Sequence, residues 1–223
     1  MPAPMRLRGG FRGDAGGKDC ERLENKLGIA DGAEFARAEE KISKRKALKM
    51  FETGYLDSLK AGTYESLQKI HQYLFDEIYE FARKTREVNL SKGNFRFASA
   101  VYLDAALKKI ECMPQSDFDQ IIEKYVEMNV AHPFREGNGR SMRIWLDLML
   151  KKELKQVIDW SRVDKEDYLM AMERSPVKDL EIKFLLKNAL TDEIHNRDVY
   201  MKGVDVSYRY EGYETYKTGE LFT

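Results

Sequence analysis

The residues best suited to chemistry lie in one short stretch, His132-Pro133-Phe134-Arg135-Glu136-Gly137-Asn138-Gly139-Arg140, with Arg143 just beyond. Pro133 disfavours helix at the residue before it, so a preceding helix ends near His132. Gly137 and Gly139 allow backbone conformations closed to other residues and let a ligand approach the main chain. A new helix starts at about Asn138, and its free N–H groups point into the loop, as in phosphate-binding helix termini. Arg140 and Arg143, three apart, extend from one face of its first turns. Cations there oppose the helix dipole, which makes sense if anionic phosphates lie between them. Glu136 is a hard oxygen ligand suited to Mg²⁺ that bridges phosphates. His132 can take a proton near neutral pH. Singly, these are a cap, a turn and a solvated face; together, in so short a span, they are hard to explain as packing.

The surrounding sequence supplies the elements that must hold this loop. No glycine occurs between Gly93 and Gly137, or between Gly139 and Gly203. Long glycine-free stretches rich in Leu, Glu, Lys and Ala predict helices. Apolar spacing predicts them over 33–51, 63–82, 98–112, from Ser116 or Asp117 onward, 138–153, 164–174 and 177–190. Thr63 caps the second. Phe118, Ile121, Ile122, Tyr125 and Val126 face inward on the fourth. The segment 138–153 is apolar nearly all round, which places it at the centre of a bundle. Residues 84–97 read as a β-hairpin turning at Ser91-Lys92-Gly93-Asn94. A lone two-stranded ribbon is marginal, so this one leans on or pairs with something. The fold class is therefore all-α with a small hairpin.

Lys+Arg and Asp+Glu balance at 38 each, which argues against a general nucleic-acid binder and a polybasic membrane protein. No apolar run approaches the roughly 20 residues a bilayer span needs. Cys20 and Cys112 lie far apart without ligand-like neighbours, which suits a cytoplasmic protein. Residues 1–21, rich in Gly and Arg, read as a disordered leader. The rest divides into a helical domain at 22–195, which carries the 132–143 stretch, and a C-terminal tail at 196–223. The tail holds 5 of the 12 tyrosines, so it is expected to dock.

The 132–143 string resembles the signature of Fic (Fido) domain proteins: His, any residue, Phe, any residue, Asp or Glu, Gly, Asn, Gly or Lys, Arg, with a second Arg three residues later. Every position is filled, and the resemblance extends over roughly 22–200. It implies a Fic-type helical bundle whose hairpin, 84–97, is a flap that clamps a target protein by strand addition. It also implies transfer of AMP from ATP to a target hydroxyl. His132 would be the general base and Glu136 the Mg²⁺ ligand. Gly137, Asn138 and Gly139 would form the anion hole, Phe134 an apolar anchor, and Arg140 and Arg143 the β- and γ-phosphate grip. Lys92, near the flap tip, joins the nucleotide-binding set. Gly139 argues against the phosphorylating branch, which has Lys there. Ser207-Tyr208-Arg209-Tyr210-Glu211-Gly212 resembles the family's inhibitory motif (Ser or Thr, three residues, Glu, Gly or Asn). Its position looks like the single-chain class III, in which the inhibitory helix follows the core. Glu211 would pair with Arg143 and take the γ-phosphate position, and Tyr208 and Tyr213 are candidate self-modification sites on its release. Small relatives modify type II topoisomerase subunits, so such a target is implied. The alternatives are a non-catalytic ATP-binding protein and a bifunctional enzyme that also removes AMP. A homo-oligomer stays open.

Overall fold

A computed structural model describes residues 12–13, 24–92, 95–213 and 215–221. The expected disordered leader lies outside these, apart from Arg12 and Gly13. The fold is helical, as the periodicity predicts, with eight α-helices among the described residues. They are α1 (Gly32–Glu52), α2 (Tyr64–Phe75), α3 (Leu103–Glu111), α4 (Phe118–Ala131), α5 (Asn138–Leu154), α6 (Lys165–Arg174), α7 (Leu180–Asn188) and α8 (Arg197–Tyr210).

The caps follow the sequence chemistry. Asp31 accepts from the N–H groups of Ala33 and Glu34, and Thr63 accepts from Ser66. Asp117, rather than Ser116, caps α4 by accepting from Gln120. Each such cap is worth about 1 kcal/mol. The central helix α5 packs against α2, α4 and α8 and buries Met142, Trp145, Leu146, Leu148, Met149 and Leu150. Truncating Trp145 would cost roughly 3–5 kcal/mol.

The second helix stops at Phe75, well short of residue 82. Ile78 and Tyr79 still reach the core, but from turns. The chain folds back because Arg83, at φ 75°, donates its N–H to the His71 ring, while its carbonyl accepts from Gln68. The hairpin is also shorter than expected. Its strands are β2 (Leu90–Lys92) and β3 (Phe95–Arg96), in register Ser91↔Arg96 and Lys92↔Phe95; Gly93 and Asn94 lie outside the described residues. Residues 84–89 form no strand. A third strand, β1 (Arg12–Gly13), pairs antiparallel with the other edge of β2, so that edge accepts a strand. A separate two-residue pairing of β4 (Val157–Ile158) with β5 (Leu190–Thr191) joins the end of α5 to the end of α7. Among the described residues, no helix is long and apolar enough to cross a membrane.

Candidate active site

The loop between α4 and α5 is built as its residue types dictate. His132 is the C-cap of α4 in the left-handed region (φ 48°, ψ 63°), and its N–H donates to Met128. Pro133 prevents the helix from running on. The last carbonyls of α4 are taken by a buried arginine from the flap root: Arg86 donates through Nε to His132 O at 2.7 Å and through Nη2 to Ala131 O at 3.0 Å. Asn138 closes the loop with two bonds to Phe134, accepting its N–H at 2.8 Å and donating to its carbonyl at 2.7 Å. The Asn138 side chain is thus committed to the loop, and what it can offer an anion is its backbone N–H. Phe134 is fully buried and stacks on His71, with 3.9 Å between ring centroids.

His71 pins the loop a second way. Its Nδ1 accepts from Arg83 N–H at 3.0 Å, so Nε2 carries the proton and donates to Glu136 O at 2.9 Å. Burial pushes its pKa down to about 3, which keeps it neutral. The His132 pKa is also pushed down to about 3 by burial, against the pull of Glu211. Both groups therefore bind protons in the unfolded chain before they do in the native one. Stability is fully present above the unfolded value near 6.5 and falls as pH drops from there. Each histidine contributes up to about 1.4 kcal/mol per pH unit to that fall. Chemical denaturation at pH 7.5 and 5.5 checks this, and His71→Phe should flatten the pH dependence.

Gly137 and Gly139 each meet a specific demand. Gly137 adopts φ 75°, and a Cβ there would come within 2.5 Å of the Phe75 ring. A Cβ on Gly139 would lie 2.4 Å from Glu211 Oε1. The Glu211 carboxylate therefore sits directly against the first turn of α5, where the dipole favours negative charge. The N-cap, Gly137, supplies no side-chain cap.

The two arginines are buried and both engaged. Arg143 donates from Nε to Ser207 Oγ at 2.7 Å, and from Nη2 to Ser207 O at 2.9 Å and Glu211 Oε1 at 3.2 Å. Arg140 pairs through Nη1 with Glu39 at 2.9 Å and through Nη2 with Glu136 at 3.1 Å. The rings of Phe75, Tyr208 and Tyr213 lie within 5.2 Å of its guanidinium. Burial raises the Glu136 pKa, against Arg140. Burial also raises that of Glu211, but Arg143, Lys92 and Arg140 outweigh it and hold the carboxyl below its ordinary range. Lys92 reaches Glu211 from the flap at 3.9 Å. Phe97, just past β3, stacks on His132 at 3.7 Å between centroids.

The expected site residues thus converge: His132, Glu136, Gly137, Asn138, Gly139, Arg140 and Arg143 on the loop and α5, Lys92 on the flap, Ser207 and Glu211 on α8 and its C-cap. Tyr208 is 2% exposed, and the Tyr213 hydroxyl is bonded to Glu39, so modification of either requires the tail to leave. Four contributors escaped the sequence reading. Glu39, Glu40 and Lys44 of α1 are buried and grip the tail: Glu40 accepts from the N–H groups of Thr215 and Tyr216, and Lys44 donates to Tyr216 O. Arg86 is the fourth. Glu40 and Lys44 also form an i,i+4 ion pair at 3.0 Å, a spacing that reads in sequence as a solvated face.

Chemically, the arrangement offers a neutral imidazole, one carboxylate suited to a hard cation, a helix N-terminus and two guanidiniums, with an internal carboxylate seated where an anion would go. Comparison with known proteins bears on the family and the fold. A Fic/DOC family profile matches residues 61–150. The protein adenylyltransferase VbhT of Bartonella schoenbuchensis is 32% identical over 191 residues, covering 79% of this chain and 39% of that protein. The chain therefore spans well under half the length of that relative. The "Probable protein adenylyltransferase y4lH" of Sinorhizobium fredii is 28% identical over 170 residues, covering 71% of this chain and 85% of that one. Among solved structures, the BepC protein of Bartonella tribocorum with bound AMPPNP matches 77% of this chain and 93% of its own (TM-score 0.63, 18% identity), a likeness of fold.

Proposed function

The chain belongs to the Fic/DOC family, and on that premise we propose that it is an autoinhibited protein adenylyltransferase of the single-chain class, transferring AMP from ATP to a hydroxyl of a target protein. The observation that carries this reading is the Glu211 carboxylate against Gly139 and Arg143, an internal anion on a built anion site. In the reaction, the target hydroxyl oxygen attacks the α-phosphorus. His132 takes the hydroxyl proton, the bond from the α-phosphorus to the bridging oxygen breaks, and pyrophosphate leaves with that electron pair. The N–H groups at the start of α5 hold phosphate oxygens, and Arg143, once free of Glu211, takes the γ-phosphate. Arg140 is held against Glu39 and Glu136, ready to contribute charge to the β-phosphate. In the locked state Glu211 occupies the γ-phosphate contact, so ATP binds with its α-phosphate misaligned.

Magnesium fits this site. Among the described residues no cluster of three ligating side chains occurs, and Glu136 is the loop's single carboxylate. That suits an ion that takes one or two carboxylates and completes its shell with phosphates and water. When bound, Mg²⁺ would neutralise charge developing between the α- and β-phosphates. Glu136→Ala should therefore lower transfer by more than the roughly 10–100-fold typical of losing an outer-shell partner. A magnesium titration checks it: an unchanged rate and midpoint would remove Glu136 as a ligand.

The flap is the proposed seat of the target strand. Support comes from the edge of β2 that β1 occupies, where a target strand would take the place of β1, and from Phe97 of the flap stacking on His132. Ser91→Pro removes a ladder donor from a residue paired on both sides. It should impair target labelling by roughly 2–12-fold, the effect of losing about one neutral hydrogen bond, while leaving ATP affinity unchanged. Equal labelling would mean the flap does not present the target through its edge. Cys112 is a free, exposed thiol, which suits a reducing cytoplasm. A type II topoisomerase subunit is the first target to try. Labelling with ATP and magnesium after removal of Glu211 tests the whole reading.

A further inference from the structure

Arg86 lies outside the loop and the tail, in a stretch without regular structure, yet it is only 3% exposed. All its side-chain partners are main-chain carbonyls. Nε donates to His132 O, Nη2 to Ala131 O and Ala98 O, and Nη1 to Val88 O. Its own N–H donates to Pro133 O at 2.8 Å. These partners fall into two groups. Val88 precedes β2 and Ala98 follows β3, so they are the two roots of the flap. Ala131, His132 and Pro133 are the end of α4 and the start of the catalytic loop. Ala98 also donates its N–H to Val130 O at 2.9 Å, beside the same helix end. A buried cation at a helix C-terminus is favoured by the dipole and by the orphan carbonyls there. That alone would explain a cap. It does not explain why the same planar fork also holds both sides of the flap.

We propose that Arg86 is a positioning residue for the transfer reaction: it ties both roots of the flap to the backbone of His132, so that a target strand on β2 and the imidazole that takes its proton keep one relative position. The inference rests on the reading of His132 as base and of the flap as target seat. The residue type follows from the task. Four carbonyls converging in one region need a rigid fork of several donors, whereas a lysine offers a compact point charge. A misplacement of about 1 Å between reacting groups can cost about 10²-fold in rate.

The test uses Arg86→Lys in a Glu211→Gly background, with labelled ATP, magnesium and a bacterial host lysate as the source of acceptor. The expected result is about a 10²-fold slower initial labelling at saturating ATP, with ATP affinity unchanged. The chain has three histidines, His71, His132 and His195, so its imidazole NMR spectrum is simple to assign. The His132 ring signal should move in Arg86→Lys, while that of His71, equally buried but pinned by Arg83 and Glu136, should stay. Labelling within a few-fold of the parent, or His71 and His132 signals moving together, overturns the proposal. If Arg86→Lys does not fold, hydrogen exchange on the unsubstituted chain decides. The amides of Arg86, Ala98 and His132, which surround the guanidinium, should open as one unit; well-separated rates overturn it. Failure of the functional reading looks different: there, His132→Ala itself would label normally.

Discussion

Glu211→Gly raises AMP transfer by roughly 10–100-fold, the equivalent of the 1.5–3 kcal/mol carried by a hydrogen bond to a charged group. Arg143 can make one good charge-assisted contact of this kind, with a carboxylate or with a γ-phosphate. In this structure Ser207 and Glu211 together take its Nε and Nη2. The contact is intramolecular, so ATP competes against a high effective concentration. The substitution should spare the helix, because Glu211 is the C-cap, beyond the last helical residue. Glycine is well tolerated at helix ends, and Gly212 already adopts φ 90° there. Removing the carboxylate also clears the space beside Gly139 and opens the α5 N-terminus. The tail should remain docked through Glu39, Glu40 and Lys44, so activation requires loss of one side chain and no unfolding of α8. Adding Arg143→Ala to Glu211→Gly should cancel the gain, since the phosphate contact goes with it. A labelling assay of the parent and the two variants checks this. A Glu211→Gly protein no more active than the parent would make the tail structural.

His132→Ala, made in that released background, lowers transfer by about 10²–10⁴-fold, the range for losing a general base. ATP affinity should change little, because the proposed phosphate partners lie on α5. Burial keeps the imidazole neutral in the locked state but also makes it a weak base, and Glu211 is the carboxylate that pulls its pKa back up. The backbone at His132 needs a control. Its φ of 48° is left-handed, which a non-glycine residue reaches at a cost of about 1–2 kcal/mol. Asn tolerates that region better than Ala, so His132→Asn should keep the loop and still lose transfer. If both variants label acceptor at the released rate, His132 is not the base.

The loop was legible because its residue types are forced. Pro133 stops a helix, Gly137 and Gly139 sit where no Cβ fits, and two arginines three apart face a helix start. The caps at Thr63 and Asp117 were legible for the same local reason. The end of α2 was not: Ile78 and Tyr79 keep the helical apolar spacing although the helix has ended at Phe75 and the chain goes on to turn back onto His71 at Arg83. Burial of charge was also hidden. Glu39 and Lys44 look like the polar face of an amphipathic helix, but Arg140 and the returning tail cover Glu39, and the tail covers Lys44. Arg86 sits in a polar run that reads as hairpin, and its importance lies in carbonyls 12 and about 45 residues away. The pairing of Val157–Ile158 with Leu190–Thr191 is too short to leave a periodic signal.

The most direct measurement compares Glu211→Gly protein given ATP labelled at the α-phosphate with the same protein given ATP labelled at the γ-phosphate, with magnesium and host lysate. The account predicts covalent label on protein from the α-position and none from the γ-position, with the α-label lost in the Glu211→Gly/His132→Ala double variant. Label from the γ-position, or no label from either, would contradict it.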